Sequence, residues 1–290
     1  MSDESYLASW QLALHDKADQ TRKLYREVLV QFAKALPEGT SLLEVTRHDC
    51  RAYFAAMKAR GLSQATLRSR WIAMRSFYGW LAEEEEIATN PMEGVKVDRA
   101  QPPPPDVPDD GDIKKLLKVC TGKGLWERRD LAMIRTAAAT GMRVGELCAL
   151  HIADVDLVTR VVVIRKGKGD KARVARIDPE TAAAIDRYLR TRGHHRLGHL
   201  PDLWLTRFGP MGISGAQAML PRRCDQAGVT RLHWHQLRHR FAHQWLAAGG
   251  QEGDLAKLGG WSDPGVMRRY GSALATERAL AAYDDLGGVL

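Results

Sequence analysis

The sequence predicts a mainly α-helical protein of two domains, with a small antiparallel β-sheet in the second. Three observations carry this reading. Apolar residues recur at three- and four-residue steps through most of the chain, the spacing of amphipathic helices. Four consecutive prolines, residues 102–105, interrupt that pattern. Two β-rich runs, 160–165 and 172–177, flank a stretch of turn-forming residues.

The 290 residues and 44% hydrophobic content suffice for two domains that each bury a core. Residues 100–111, AQPPPPDVPDDG, exclude helix and favour an extended, semi-rigid connector. The predicted organisation is a helical domain over 1–97, a Pro-rich linker over 98–111, and a second domain over 112–290 that ends in a tail helix.

In the first domain, Leu67, Trp71, Met74, Tyr78 and Leu81 form one stripe within 64–81, more a core face than a ligand site. Residues 21–36 and 47–60 have similar spacing. Asp49 and Ser63 stand near helix starts and Gly61 follows a helix end, so a small helical bundle is expected. Arg68 and Arg75 are seven apart and share a face of the last helix, with Arg70 off that face. Phosphate contacts from a groove-facing helix and a plain solvated face explain them equally well.

In the second domain, 112–119 and 128–138 have helical spacing. The latter runs into Thr140-Gly141-Met142-Arg143, where Gly141 permits a tight turn. Helical character resumes over 146–150. The β-rich runs around Lys166-Gly-Lys-Gly-Asp-Lys171 predict a hairpin, and mostly helical sequence follows, broken by a short candidate strand at 203–206.

Net charge is +8, from 43 Lys+Arg against 35 Asp+Glu. Residues 1–97 are balanced, whereas 112–290 hold 29 basic and 18 acidic side chains. That surplus favours a polyanion, either nucleic acid or an acidic membrane surface. Cys50, Cys120, Cys148 and Cys224 are widely spaced without a CxxC pair, which argues against a disulfide scaffold or zinc knuckle. The N-terminus lacks signal-peptide character, and no run of about 18 apolar residues is present.

Transesterification of a phosphodiester requires a nucleophile, cations on the non-bridging oxygens and an acid for the leaving oxygen. The second domain offers each. Arg143 has Glu146 three residues on, spacing at which a carboxylate holds a guanidinium, although such pairs usually belong to solvated faces. Lys168 lies between two glycines at the hairpin tip, where an ordinary turn lysine is as good a reading as a mobile acid. His235 and Arg238 project to one side of a helix. His239 and His243 extend a ladder with metal-site spacing, but no HExxH glutamate or cysteine accompanies it. Trp261 precedes Tyr270 in GGWSDPGVMRRY, and a lone tyrosine proves nothing.

Together these pieces resemble the tyrosine recombinase (phage integrase) family over residues 112–275. TGMRVGEL is similar to that family's first-arginine motif, KGKGDKAR to its catalytic hairpin, HQLRHRFAH to its HxxR motif and GGWSDPGVMRRY to its nucleophile segment. Residues 1–97 look like its helical core-binding domain. The resemblance implies that Tyr270 attacks the scissile phosphate to form a 3′-phosphotyrosyl link. Arg143 and Arg238 would clamp the non-bridging oxygens, and Lys168 would protonate the departing 5′ oxygen. His235 would position the phosphate or manage the tyrosine proton, and Glu146 would orient the arginine and histidine groups. Trp261 stands where many members carry histidine, a Cre-like arrangement, and its indole N–H donates without shuttling protons. Candidate DNA-binding residues are Arg68, Arg70, Arg75, Lys166 and Lys171.

The implied partners are double-stranded DNA with specific recombination sites, further copies of the chain in a tetramer on that DNA, and host or phage accessory factors, with no membrane. The implied chemistry requires neither ATP nor metal, and the implied location is the cytoplasm or nucleoid of a bacterial host. Leu274, Leu280 and Tyr283 in the tail, Ser272–Asp285, suit docking on a neighbouring subunit or on their own domain. No separate arm-type domain fits before the first module. Integration of a phage or other mobile element is the expected setting, with Xer-type dimer resolution as the alternative. A type IB topoisomerase-like enzyme and a catalytically silent DNA-binding protein are the competing classes.

Overall fold

Short polar residues start three of the four helices of the first half, where their side chains satisfy backbone N–H groups that have no partner within the helix. A computed structural model of the chain describes residues 2–98, 106–165, 172–261, 280 and 283–284. The chain divides into two compact units, residues 1–102 and 103–290.

The first unit holds α1 (Asp3–Ala13), α2 (Asp19–Ala33), α3 (Arg47–Ala59) and α4 (Gln64–Glu83). Ser2, Thr46 and Ser63 accept from the backbone N–H of Ser5, Asp49 and Thr66. Asp49 accepts in return from the Thr46 N–H, completing a capping box. The α4 stripe of Leu67, Trp71, Met74, Tyr78 and Leu81 is buried. Trp10 of α1 meets Phe77 of α4 edge-on at 5.2 Å, and Phe32 of α2 lies 4.8 Å from Tyr53 of α3.

Helix α1 lies before the segments whose spacing predicts helices. Asp3 and Glu4 occupy its first turn, where the positive end of the helix dipole favours carboxylates.

The second unit runs through α5 (Asp110–Lys118), α6 (Leu125–Thr140), α7 (Val144–Cys148), a 3₁₀ turn (Ile152–Asp154), β1 (Val155–Asp156), β2 (Val161–Ile164) and β3 (Arg173–Arg176). It continues with α8 (Pro179–Arg192), α9 (Ile213–Ala227), α10 (Trp234–Ala247) and α11 (Glu252–Gly259). The sheet is antiparallel in the order β1-β2-β3. Val162 pairs with Ala175 and Ile164 with Arg173. Val162, Ile164 and Ala175 are buried while Val163 and Val174 are exposed, the period-two alternation of a sheet with one face on the core. Helix α6 packs against α8 and α10 in that core.

The strand expected at 203–206 does not form. Its region makes two isolated bridges, Asp202 to His151 and Leu205 to Pro210. The Leu203 N–H donates to the Leu150 carbonyl and the Thr206 N–H to that of Gly209, so these groups serve the exit of α7 and a local turn. The apolar run that suggested a strand is core packing. Trp204 stacks on Tyr188 at 5.5 Å, and its Nε1–H donates to the Leu147 carbonyl.

Helix α6 ends at Gly141, which is left-handed at φ 60°. A Cβ there would fall 2.4 Å from the Phe241 ring. Gly141→Ala is therefore expected to lower stability by about 1–3 kcal/mol for the backbone conformation alone, with displacement of Phe241 in addition. A denaturant titration reads this as a lower midpoint. Among the described residues, no helix is long and apolar enough to cross a membrane.

Candidate active site

Because Gly141 reverses the chain so sharply, Arg143 becomes the residue that opens α7, with Glu146 one turn inside. The Arg143 N–H donates to Glu146 Oε2 at 2.8 Å, and its Nη1 donates to Oε1 at 3.1 Å. A second guanidinium grips the same carboxylate. Arg173, the first residue of β3, donates from Nη1 to Oε1 at 3.0 Å and from Nη2 to Oε2 at 2.6 Å, the two-pronged geometry in which arginine binds carboxylates most strongly.

Both arginines also reach the C-terminal end of α11, where unpaired carbonyls and the negative end of the dipole favour cations. Arg173 Nε donates to the Leu258 carbonyl at 3.0 Å, and Arg143 Nη2 to that of Gly260 at 3.4 Å. Gly260 is left-handed, at φ 65°, and ends the helix.

Arg238 of α10 joins the same two segments. Its Nη1 donates to the Gly141 carbonyl at 2.6 Å, and its guanidinium carbon lies 3.8 Å from the centre of the Trp261 ring. That stacking is a cation–π contact suited to the planar guanidinium. Arg238 is buried, with 1% of its surface exposed. One turn earlier on the helix His235 is exposed, and its ring meets that of His239 edge-on at 4.3 Å. Among the described residues, no three His, Cys, Asp or Glu side chains gather as a metal site.

The electrostatics leave positive charge on the cluster. Burial pushes the Glu146 pKa up, but the Arg173 hydrogen bond, the Arg143 N–H and the charges of both arginines outweigh it and hold the carboxyl below its ordinary 4.5. One carboxylate thus faces two guanidiniums. The Arg173 side chain is 10% exposed and that of Arg143 34%, so Arg143 carries the more accessible charge. A cluster of this kind suits an anionic oxygen that gains charge during reaction.

Residues 109–277 match the family model described as the phage integrase family. The chain belongs to the phage integrase family of tyrosine recombinases. Members cut and rejoin DNA strands, and residues 9–85 match the corresponding N-terminal SAM-like domain. The tyrosine recombinase XerC of Herpetosiphon aurantiacus is 32% identical over 269 residues, covering 90% of this chain and 86% of that one. XerC of Xanthomonas campestris pv. campestris (strain B100) is 29% identical over 273 residues, covering 92% and 82%.

Among solved structures, the Tn1549 transposon integrase with transposon right-end DNA matches with a TM-score of 0.78. It is 20% identical, over 99% of this chain and 100% of that one. The XerH recombinase bound to a palindromic difH substrate matches with a TM-score of 0.75 at 20% identity, over 90% and 79%. At that identity the two structures speak for the recombinase fold.

Of the residues that the sequence singles out in this recombinase, Arg143, Glu146, Arg238 and Trp261 converge where the 141–143 turn meets the end of α11, and His235 is on the helix that supplies Arg238. Lys166, Lys168, Lys171 and Tyr270 lie outside the described residues, as does most of the tail. Leu280 and Tyr283 of that tail are exposed.

In the first unit, Arg68 and Arg75 flank the Trp71 ring at 4.0 and 5.0 Å. Arg68 donates to the Val97 carbonyl and Arg70 to the Tyr53 hydroxyl, both at 3.0 Å. These arginines have partners within their own unit, which fixes their direction while Arg75 remains exposed.

Sequence reasoning missed Arg173. The signal was there in strand parity, since Arg173 falls on the same alternation as Ala175 and Ile177, the inward-facing residues of its strand. An arginine at an inward position calls for a buried carboxylate, and Glu146 supplies it.

Proposed function

We propose that this chain is a site-specific DNA recombinase that cleaves and rejoins strands through a 3′-phosphotyrosyl bond to Tyr270. The observation that carries the reading is the convergence of Arg143 and Arg238 on residues 260–261, which in the sequence stand just before the Tyr270 segment. In this reading the two guanidiniums hold the non-bridging oxygens of the scissile phosphate as charge builds on them, and Glu146 fixes Arg143. Trp261 backs Arg238 and offers an N–H to a phosphate oxygen. Lys168 protonates the 5′ oxygen, and His235 positions the phosphate or handles the tyrosine proton. Cleavage conserves the phosphodiester energy in the tyrosyl ester, so rejoining by the opposite hydroxyl is nearly isoenergetic.

Residues 1–97 serve as the core-type DNA-binding domain, 98–111 as linker and 112–290 as the catalytic domain. Arg68, Arg70, Arg75, Lys166 and Lys171 contact DNA, and copies of the chain assemble as a tetramer on the paired sites. The basic surplus of residues 112–290 supports that partner.

Two settings use this chemistry. Integration of a mobile element and Xer-type resolution share the fold of both solved structures, and the XerC relatives favour an Xer-type resolvase. The chemistry is tested with a nicked suicide DNA substrate carrying candidate sites. Wild type is expected to give a denaturant-resistant protein–DNA adduct on a gel and Tyr270→Phe none. An equal adduct from both proteins contradicts the reading. Relaxation of a supercoiled plasmid without paired sites would favour the topoisomerase-like class.

A further inference from the structure

We propose that Arg173 is a positioning residue that aims Arg143 through Glu146 and ties the start of β3 to the end of α11. The inference rests on the recombinase reading and gives a role to Arg173, the last residue of KGKGDKAR, for which the resemblance supplies none. Arg173 gives three donors to three acceptors, both oxygens of Glu146 and the Leu258 carbonyl, and its side chain is nearly buried. Glu146 has no freedom left once held in this way. Its Oε1, shared between Arg173 and Arg143, then sets where the more exposed guanidinium points.

The alternative role for Arg173 is simple charge neutralisation of a buried carboxylate, for which any cation suffices. The geometry favours more than that. Arg143 already neutralises Glu146, and the cluster keeps a second guanidinium with fixed two-pronged bonding. The cluster is also tightly fitted, because a Cβ on Gly260 would come within 3.1 Å of the Arg173 guanidinium. Arg173 lies five residues after Lys168 in the chain, and Leu258 twelve before Tyr270. One side chain therefore links the exit of the lysine loop to the segment leading to the nucleophile.

The test uses Arg173→Lys in the full chain, which keeps the charge and loses the fork. Single-turnover adduct formation at saturating suicide substrate is expected to slow by up to about 100-fold, the scale on which a misplaced catalytic group acts. DNA affinity should stay within about threefold of wild type, since binding is dominated by other phosphate contacts. In an Arg143→Lys background the same substitution should add little, because its effect passes through Arg143.

An unchanged rate, or effects of Arg173→Lys and Arg143→Lys that multiply in full, would overturn the proposal. If Arg173→Lys melts below the assay temperature, Glu146→Gln, of nearly the same volume, is the second arm. A wild-type rate for Glu146→Gln overturns the relay, and a loss at unchanged DNA affinity supports it. Absence of any adduct from the wild-type protein would instead sink the recombinase reading itself.

Discussion

Arg238→Ala is expected to slow DNA cleavage by about 10²–10³-fold or more, the effect of removing one fixed donor from a site where negative charge develops. Single-turnover adduct formation on a suicide substrate measures it. Arg238 is buried between the Gly141 carbonyl and the Trp261 ring, so its plane is fixed before substrate arrives. Arg238→Lys keeps the charge but loses the planar guanidinium that stacks on Trp261, and should recover only a small part of the rate. Recovery to near wild type by lysine would mean that Arg238 supplies charge without geometry.

The second large effect is on stability. Glu146→Ala leaves Arg173 buried without its carboxylate, and breaking a buried ion pair from one side is worth about 3–5 kcal/mol. A denaturant titration should show most of that loss. Glu146→Gln keeps the shape and one acceptor oxygen and should lose less.

The pH dependence follows from the sign of the shift. The Glu146 pKa in the folded protein lies below its ordinary 4.5, so its contribution is present in full above that value and is lost as the pH falls through the lowered folded value. Melting temperatures of wild type and Glu146→Gln should therefore keep a constant gap from neutral pH to about 4.5 and converge below it.

Much of this was legible in the sequence, for physical reasons that differ by element. Amphipathic spacing revealed α4 because its stripe is buried along its whole length. The sheet was legible because two β-rich runs flank glycine and lysine, whereas β1, only two residues long, has too short a pattern to read. The expected strand at 203–206 failed because apolar residues in a row signal burial without specifying which backbone groups they pair with. Arg143 and Arg238 were legible as parts of motifs. That one carboxylate serves two arginines was not, since Arg173 and Glu146 are 27 residues apart and meet only in the folded unit.

The claim on which the rest depends is the covalent bond to Tyr270. Its most direct test is to trap the adduct on a suicide substrate, digest away the DNA and protein, and identify by mass spectrometry the residue that keeps a nucleotide. The account predicts a 3′-phosphonucleotide on Tyr270. A nucleotide on any other side chain would contradict it.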